Sequence, residues 1–160
     1  MFTATDYSSN PKEKYTQLAA QLDSLLSGES NIYANLSNAS ALLNQFFDRI
    51  NWVGFYLMDG RELVLGPFQG LPACIRIPLG RGVCGTVAQT KKGLVVPDVN
   101  EFPGHIACDA ASRSEVVVPL MKDGEVFGVL DIDSPELNRF TEEDLAGLTE
   151  AAAVLMKHIN

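Results

Sequence analysis

The run Glu115 to Met121, the pair Asp123-Gly124 and the run Val126 to Asp133 constrain the fold of this chain more than any other feature. An Asp-Gly pair between two runs of branched and aliphatic residues predicts a tight antiparallel hairpin, because both turn residues tolerate positive φ. A second hairpin is predicted earlier, where Asn51 to Met58 turns at Asp59-Gly60 into Glu62 to Leu65. A third strand is expected over roughly Cys74 to Leu79 and a brief one at Leu94 to Val96. Antiparallel hairpins at both ends of the strand region argue against a doubly wound parallel sheet.

Helices flank this region. Asn10, Pro11 and Glu13 supply a cap, a proline at the first helical position and a carboxylate placed to reciprocate. Tyr15, Leu18, Ala19, Leu22, Leu25 and Leu26 follow helical spacing, and Gly28 is the predicted stop. A second helix is expected from near Ser30, with its apolar stripe running from Ile32 to Phe47. A short helix is expected from Gly82 to about Lys92, stopped by Gly93. Thr141 caps the last one, Phe140 and Leu145 form its staple, and Leu148, Ala152, Leu155, Met156 and Ile159 share a face. The expectation is a single α+β domain over residues 1–160, with two helices in 11–47, a central antiparallel sheet with its loops in 50–134 and a C-terminal helix in 141–158. The long loop from Pro97 to Ser114 reads as a lid or binding loop.

Hydrophobic residues at 46% and charged residues at 20% suit a globular domain and exclude a disordered one. No segment is apolar enough to span a bilayer, and Met1 to Asn10 lacks the features of a secretion signal, so a cytoplasmic location without a membrane partner is expected. A net charge of -8 with scattered basic residues makes nucleic acid an unsuitable partner.

The candidate chemistry is thiol and carboxylate chemistry. Cys74, Cys84 and Cys108 are an odd count in a chain read as cytoplasmic, which favours reactive thiols over a stapling framework. Burial as small hydrophobes is the alternative, strongest for Cys84 between Val83 and Val87 and weakest for Cys108 in its polar loop. Asp131 and Asp133 alternate with Leu130 and Ile132 and so share one strand face, and Glu115 opens the strand paired with theirs. Three crowded carboxylates raise the proton affinity of at least one, giving a candidate acid. Trp52 and Tyr56, four apart on a strand, share a face and read as core or as the wall of an apolar pocket.

Two other readings fit less well. Gly80 to Gly85 satisfies G-x-G-x-x-G, but the antiparallel context is wrong for a dinucleotide fold; what survives is a helix N-terminus able to hold a carboxylate. A zinc site from the cysteines and His105 lacks closely spaced ligand pairs, His105 reads as an ordinary loop residue, and His158 as solvent-facing.

With these residues assembled, the chain resembles the free methionine-(R)-sulfoxide reductases, which are built on a GAF-type domain. The marks are Asn51-Trp52-Val53-Gly54-Phe55-Tyr56, Gly66-Pro67-Phe68-Gln69-Gly70, the cysteine spacing, Gly82-Val83-Cys84-Gly85, His105-Ile106-Ala107-Cys108-Asp109, Ser112-Arg113-Ser114-Glu115 and Leu130-Asp131-Ile132-Asp133-Ser134. The resemblance implies Cys108 as nucleophile, Cys74 as main resolving cysteine and Cys84 as an accessory thiol. It also implies Glu115, Asp131 and Asp133 as substrate-site carboxylates and Trp52 with Tyr56 as an aromatic wall. The implied enzyme is cytoplasmic and commonly dimeric, needs no metal or other cofactor, reduces the R epimer of free methionine sulfoxide, and takes electrons from thioredoxin. The rival classes are a GAF-type ligand sensor and a zinc-stabilised interaction module.

Overall fold

A computed structural model describes residues 2–160. Along the chain run α1 (Pro11–Leu26), α2 (Ile32–Phe46), β1 (Trp52–Asp59), β2 (Glu62–Gly70), β3 (Arg76–Pro78), α3 (Gly82–Thr90), β4 (Leu94–Val96), a 3-10 turn (Val99–Glu101), β5 (Ser114–Lys122), β6 (Glu125–Ser134) and α4 (Glu142–Met156). The strands form one six-stranded antiparallel sheet in the order β3-β2-β1-β6-β5-β4, and both predicted hairpins lie in it. Its edge strands, β3 and β4, are only three residues long, which limits the unpaired backbone open to edge-to-edge pairing.

Strand alternation divides the sheet into two faces. On one, Val53, Phe55, Val116, Val118, Leu120, Leu130 and Ile132 pack with α1, α2 and α4 in a core that includes Leu18, Leu22, Leu36, Leu43, Leu148 and Leu155. On the other, Trp52, Tyr56, Val117 and Val129 pack with α3 through Val83, Cys84, Val87 and Ala88. The helices on the first face are locked to one another. Tyr15 of α1 donates a 2.7 Å hydrogen bond to Asp144 of α4, and a side chain at Gly147 would run into the Tyr15 ring. Asp144 also completes a capping box with Thr141, so one carboxylate both starts α4 and ties it to α1.

Local details differ from the sequence expectation. Asn10 caps α1, but the Glu13 carboxylate accepts from Ser8 Oγ instead of the Asn10 amide, which takes Ser8 Oγ for itself. Helix α3 ends at Lys91, whose φ of 62° makes the left-handed cap, not at Gly93. Gly93 is small for another reason: a Cβ there would press against Leu145 of α4. The third strand is shorter than Cys74 to Leu79, leaving Cys74 in a loop. The second strand is longer than expected and continues through Gly66 and Pro67 to Gly70. His158 is largely covered and bonded to Asp23 at 2.8 Å, so it is not a free solvent-facing residue.

Candidate active site

The second face of the sheet opens into a cavity of about 50 Å³ between the β1–β6–β5 strand ends, the start of α3, the 71–75 loop and the 105–112 loop. Every candidate catalytic or substrate-binding residue read from the sequence lines it except Cys74, which is bonded to one that does. Register explains the convergence. Trp52 pairs with Asp133, Gly54 with Asp131 and Glu115 with Asp133, so strand alternation turns Glu115, Asp131, Asp133, Trp52 and Tyr56 to one side.

The three carboxylates line one cavity; Glu115 and Asp131 are buried at 6% exposure and Asp133 is half-buried. Burial is the main force raising the proton affinity of each, and the charge of Asp131 adds to it for both Glu115 and Asp133. Glu115 and Asp133 are pushed well above the ordinary range. Asp131 is raised less, because hydrogen bonds from Glu115 and Cys84 favour its ionised form. The cluster thus favours protons on Glu115 and Asp133, and Asp131 is the member whose ionised form is least disfavoured. One oxygen of Asp131, Oδ1, is buried with no hydrogen-bond partner among the described residues.

Cys84 belongs to this cluster. It is buried with Sγ 3.9 Å from Glu115 Oε1, and burial together with the nearby carboxylates pushes its thiol well up. The donor atoms of Cys84, Glu115 and Asp131 all lie within 4.8 Å of one another. The ligand set considered from the sequence is not available, because Cys74 and Cys108 are joined in a disulfide with Cα atoms 5.4 Å apart. His105 lines the cavity with its pKa lowered by burial, so its ring is neutral at neutral pH.

The aromatic wall has a second task. Trp52 stacks on Tyr56 at 5.8 Å and on Phe68 at 5.2 Å. Trp52 Nε1 donates to Leu71 O at 3.2 Å and Tyr56 Oη donates to Cys74 O at 2.9 Å. These bonds pin the loop that carries one half of the disulfide. The other half is held by Asn51, whose Nδ2 donates to Asp109 Oδ2 at 2.9 Å and Ser112 Oγ at 3.0 Å. Asp109 in turn caps the Ala111 amide at 2.8 Å. Asn51 and Phe68 were legible only as parts of motifs; the signal for Asn51 is a polar amide at the mouth of an apolar strand.

The α3 N-terminus completes the site. Arg81 makes no side-chain cap, and Gly82, Val83 and Cys84 of the first turn line the cavity. Gly82 has φ of 61°, and a Cβ there would sit 3.3 Å from Ile106 Cγ1, so glycine lets the Cys108 loop close against the helix start.

The GAF domain matches residues 34–159. The chain is 52% identical to Protein YtsP of Bacillus subtilis, with 98% of each chain covered. It is 51% identical to a free methionine-R-sulfoxide reductase of Escherichia coli over 92% of this chain and 90% of that one. Among solved structures, the free methionine-R-sulfoxide reductase from Neisseria meningitidis in complex with its substrate aligns with a TM-score of 0.92 at 46% identity, covering 98% of this chain and 95% of that one. Matched from end to end in sequence and in fold, the chain belongs to the GAF-domain family and, within it, to the free methionine-R-sulfoxide reductases.

Proposed function

We propose that this protein reduces free L-methionine-(R)-sulfoxide to methionine with Cys108 as nucleophile, Cys74 as resolving cysteine and thioredoxin as the final reductant. The observation that carries the reading is the Cys74–Cys108 disulfide seated at the mouth of a carboxylate cluster of raised proton affinity.

In the reduced enzyme the Cys108 thiolate attacks the electrophilic sulfur of the sulfoxide. A protonated carboxyl, Glu115 or Asp133, gives its proton to the sulfoxide oxygen, which would otherwise be a poor leaving group. A bond forms between Cys108 Sγ and the substrate sulfur as the S–O bond breaks and the protonated oxygen departs as hydroxide. That hydroxide then attacks Cys108 Sγ, the S–S bond breaks with its electron pair on methionine, and Cys108 is left as a sulfenic acid. Cys74 then attacks that sulfur, water leaves, and the disulfide closes. Two electrons from an external dithiol reopen it. Cys84 serves as an accessory thiol; its raised pKa fits a reserve role, because the thiolate, not the thiol, is the nucleophile.

Recognition follows from the same groups. Asp131, when ionised, suits the substrate ammonium, the Trp52–Tyr56 wall suits its methyl group, and the N-terminus of α3 suits its carboxylate. A cavity of about 50 Å³ has room for only a few waters at roughly 10–15 Å³ each. The disulfide form therefore suits a state after product release, and substrate enters once Cys108 is free of Cys74. No cofactor takes part. The cytoplasmic setting and a homodimeric assembly are included in this reading on the strength of the resemblance.

The test is NADPH consumption in the presence of thioredoxin, its reductase and each epimer of free methionine sulfoxide. Turnover is expected with the R epimer and not the S epimer. An R-sulfoxide with acetylated nitrogen and amidated carboxyl is expected to lose orders of magnitude in kcat/KM, because the groups that meet its charges are left unpaired. Equal values for free and blocked substrate would overturn the free-amino-acid reading.

A further inference from the structure

The two sulfurs of the disulfide face different surroundings. Both cysteines are half-buried, but Cys108 lines the cavity together with Asp109, Glu115, Asp131 and Asp133. Asp109, next to it in the chain and in the lining, disfavours an incoming thiolate. Cys74 lies outside the cavity lining, on the 71–75 loop, between Leu71 at 65% and Ile75 at 68% exposure. These are two of the most exposed large apolar side chains among the described residues, and they flank the one half of the disulfide that does not face the carboxylates. The loop backbone is not free to drift, since Trp52 and Tyr56 hold Leu71 O and Cys74 O.

Charge sets this surface apart from the rest of the molecule. Residues 63–97 include Arg76, Arg81, Lys91 and Lys92 and not one Asp or Glu, in a chain whose net charge is -8. Arg76 is engaged by Asp59 and Glu62, whereas Arg81 is exposed beside the cavity mouth with no ion-pair partner among the described residues. An uncharged apolar strip next to an unpaired cation complements a partner whose reactive thiol is ringed by apolar and acidic surface.

We infer that the external reductant attacks Cys74 and not Cys108, docking on the strip Leu71 to Ile75 as a dithiol protein with an apolar, acidic rim. The inference rests on the proposed thiol-disulfide cycle. The partner's thiolate forms a bond to Cys74 Sγ as the Cys74–Cys108 bond breaks, and the electron pair leaves on Cys108. The partner's second thiol, losing its proton, then attacks the partner sulfur of the mixed disulfide. The partner closes its own disulfide, oxidised by two electrons, and Cys74 departs as a thiolate that takes up a proton. Attack in this order returns the nucleophile directly to the cavity as a thiolate, ready for substrate.

Two measurements test it. Oxidised enzyme is mixed with thioredoxin whose second cysteine is replaced by serine, and the trapped mixed disulfide is mapped by mass spectrometry. Linkage at Cys74 is expected; linkage at Cys108 overturns the assignment. Steady-state turnover is then compared for Ile75→Glu and Ile75→Lys, an exposed position outside the cavity lining. Ile75→Glu is expected to lower kcat/KM for thioredoxin about tenfold and Ile75→Lys to lower it less, while turnover supported by dithiothreitol stays within about twofold of wild type for both. Unchanged thioredoxin kinetics in Ile75→Glu overturns the docking surface. A wild-type enzyme that makes no methionine even with dithiothreitol overturns the underlying cycle instead, so the two failures are distinguishable.

Discussion

The two faces of the central sheet are built from alternate residues of the same strands, yet they obey opposite rules. On β6, Leu130 and Ile132 enter a dry core against α1, α2 and α4, while Val129, Asp131 and Asp133 face α3 and the cavity. On β5, Val116, Val118 and Leu120 do the first job and Glu115 and Val117 the second. The helix-side face buries aliphatic and aromatic surface, and Asp144 within that layer is satisfied by Tyr15 and Thr141. The cavity face buries Glu115, Asp131 and the Cys84 thiol beside a half-buried Asp133, an unfavourable arrangement that raises the proton affinity of Glu115 and Asp133. One face thus stabilises the scaffold that holds the other in a strained ionisation state. A period of two along a strand is enough to separate stability from chemistry by a single residue.

Substitutions can break this separation if it is wrong. The largest effect is expected for Cys108→Ser, which should lower methionine formation by roughly a thousandfold or more while leaving the Tm of the reduced protein unchanged. Cys74→Ser should instead give a burst near one methionine per chain followed by slow recycling. Full thioredoxin-supported turnover in that variant would move the resolving role to Cys84.

On the opposite face, Ile132→Ala should cost about 2–5 kcal/mol of stability, measured by urea denaturation, because it opens a cavity in the aliphatic core. Its kcat per folded molecule should stay close to wild type. A large loss of kcat in protein that remains folded would show that the two faces are coupled.

Glu115→Gln and Asp133→Asn should lower turnover by about a hundredfold, the scale of a lost general acid, with little or no loss of stability. The sign of the pH dependence follows from the raised proton affinities. The folded state binds these protons more tightly than the unfolded chain, so their contribution to stability is complete below the ordinary carboxylate range of about pH 4 and is lost as pH rises through the raised native values. Either amide should therefore raise Tm relative to wild type on the alkaline side and flatten the slope of Tm against pH. Wild-type turnover in both amide variants would remove acid catalysis from the mechanism.

The smallest effect is expected at Asn51, whose side chain holds the Cys108 loop through Asp109 and Ser112. Asn51→Ala should lower kcat about tenfold by loosening the position of the nucleophile. Wild-type kcat in this variant would show that other contacts hold the Cys108 loop in place.

How far the sequence foretells this molecule depends on whether the cause is local. The hairpins at Asp59-Gly60 and Asp123-Gly124, the Thr141 cap and the shared face of Glu115, Asp131 and Asp133 follow from turn chemistry and strand period, and all are present. The extension of β2 through Gly66 and Pro67 was not legible, because both residues signal a strand end. They are tolerated because the β1–β2 register shifts there into a bulge, with Gly54 opposite Phe68 and Tyr56 opposite Leu65. β3 does not reach that far, pairing only with Glu62, Leu63 and Val64, so the missing proline N–H breaks no ladder on that side. The Lys91 cap and the Glu13–Ser8 bond are choices between near-equivalent partners that only tertiary packing decides. The pairing of Cys74 with Cys108, 34 residues apart, came from family resemblance, since spacing left every pairing open. The roles of Trp52, Tyr56 and Asn51 in pinning the two disulfide loops depend on contacts distant in sequence, so no local pattern announces them.

The central claim is that Cys108 and Cys74 are the two electron donors for reduction of a free sulfoxide. A single-turnover experiment tests it most directly: reduced protein, freed of external thiol, is mixed with free methionine-(R)-sulfoxide, and methionine and the Cys74–Cys108 disulfide are quantified together by rapid acid quench and mass spectrometry. The predicted result is one methionine for each disulfide formed, with the disulfide appearing no faster than methionine and neither accumulating with the S epimer. Methionine formed while Cys74 and Cys108 both remain reduced would contradict it.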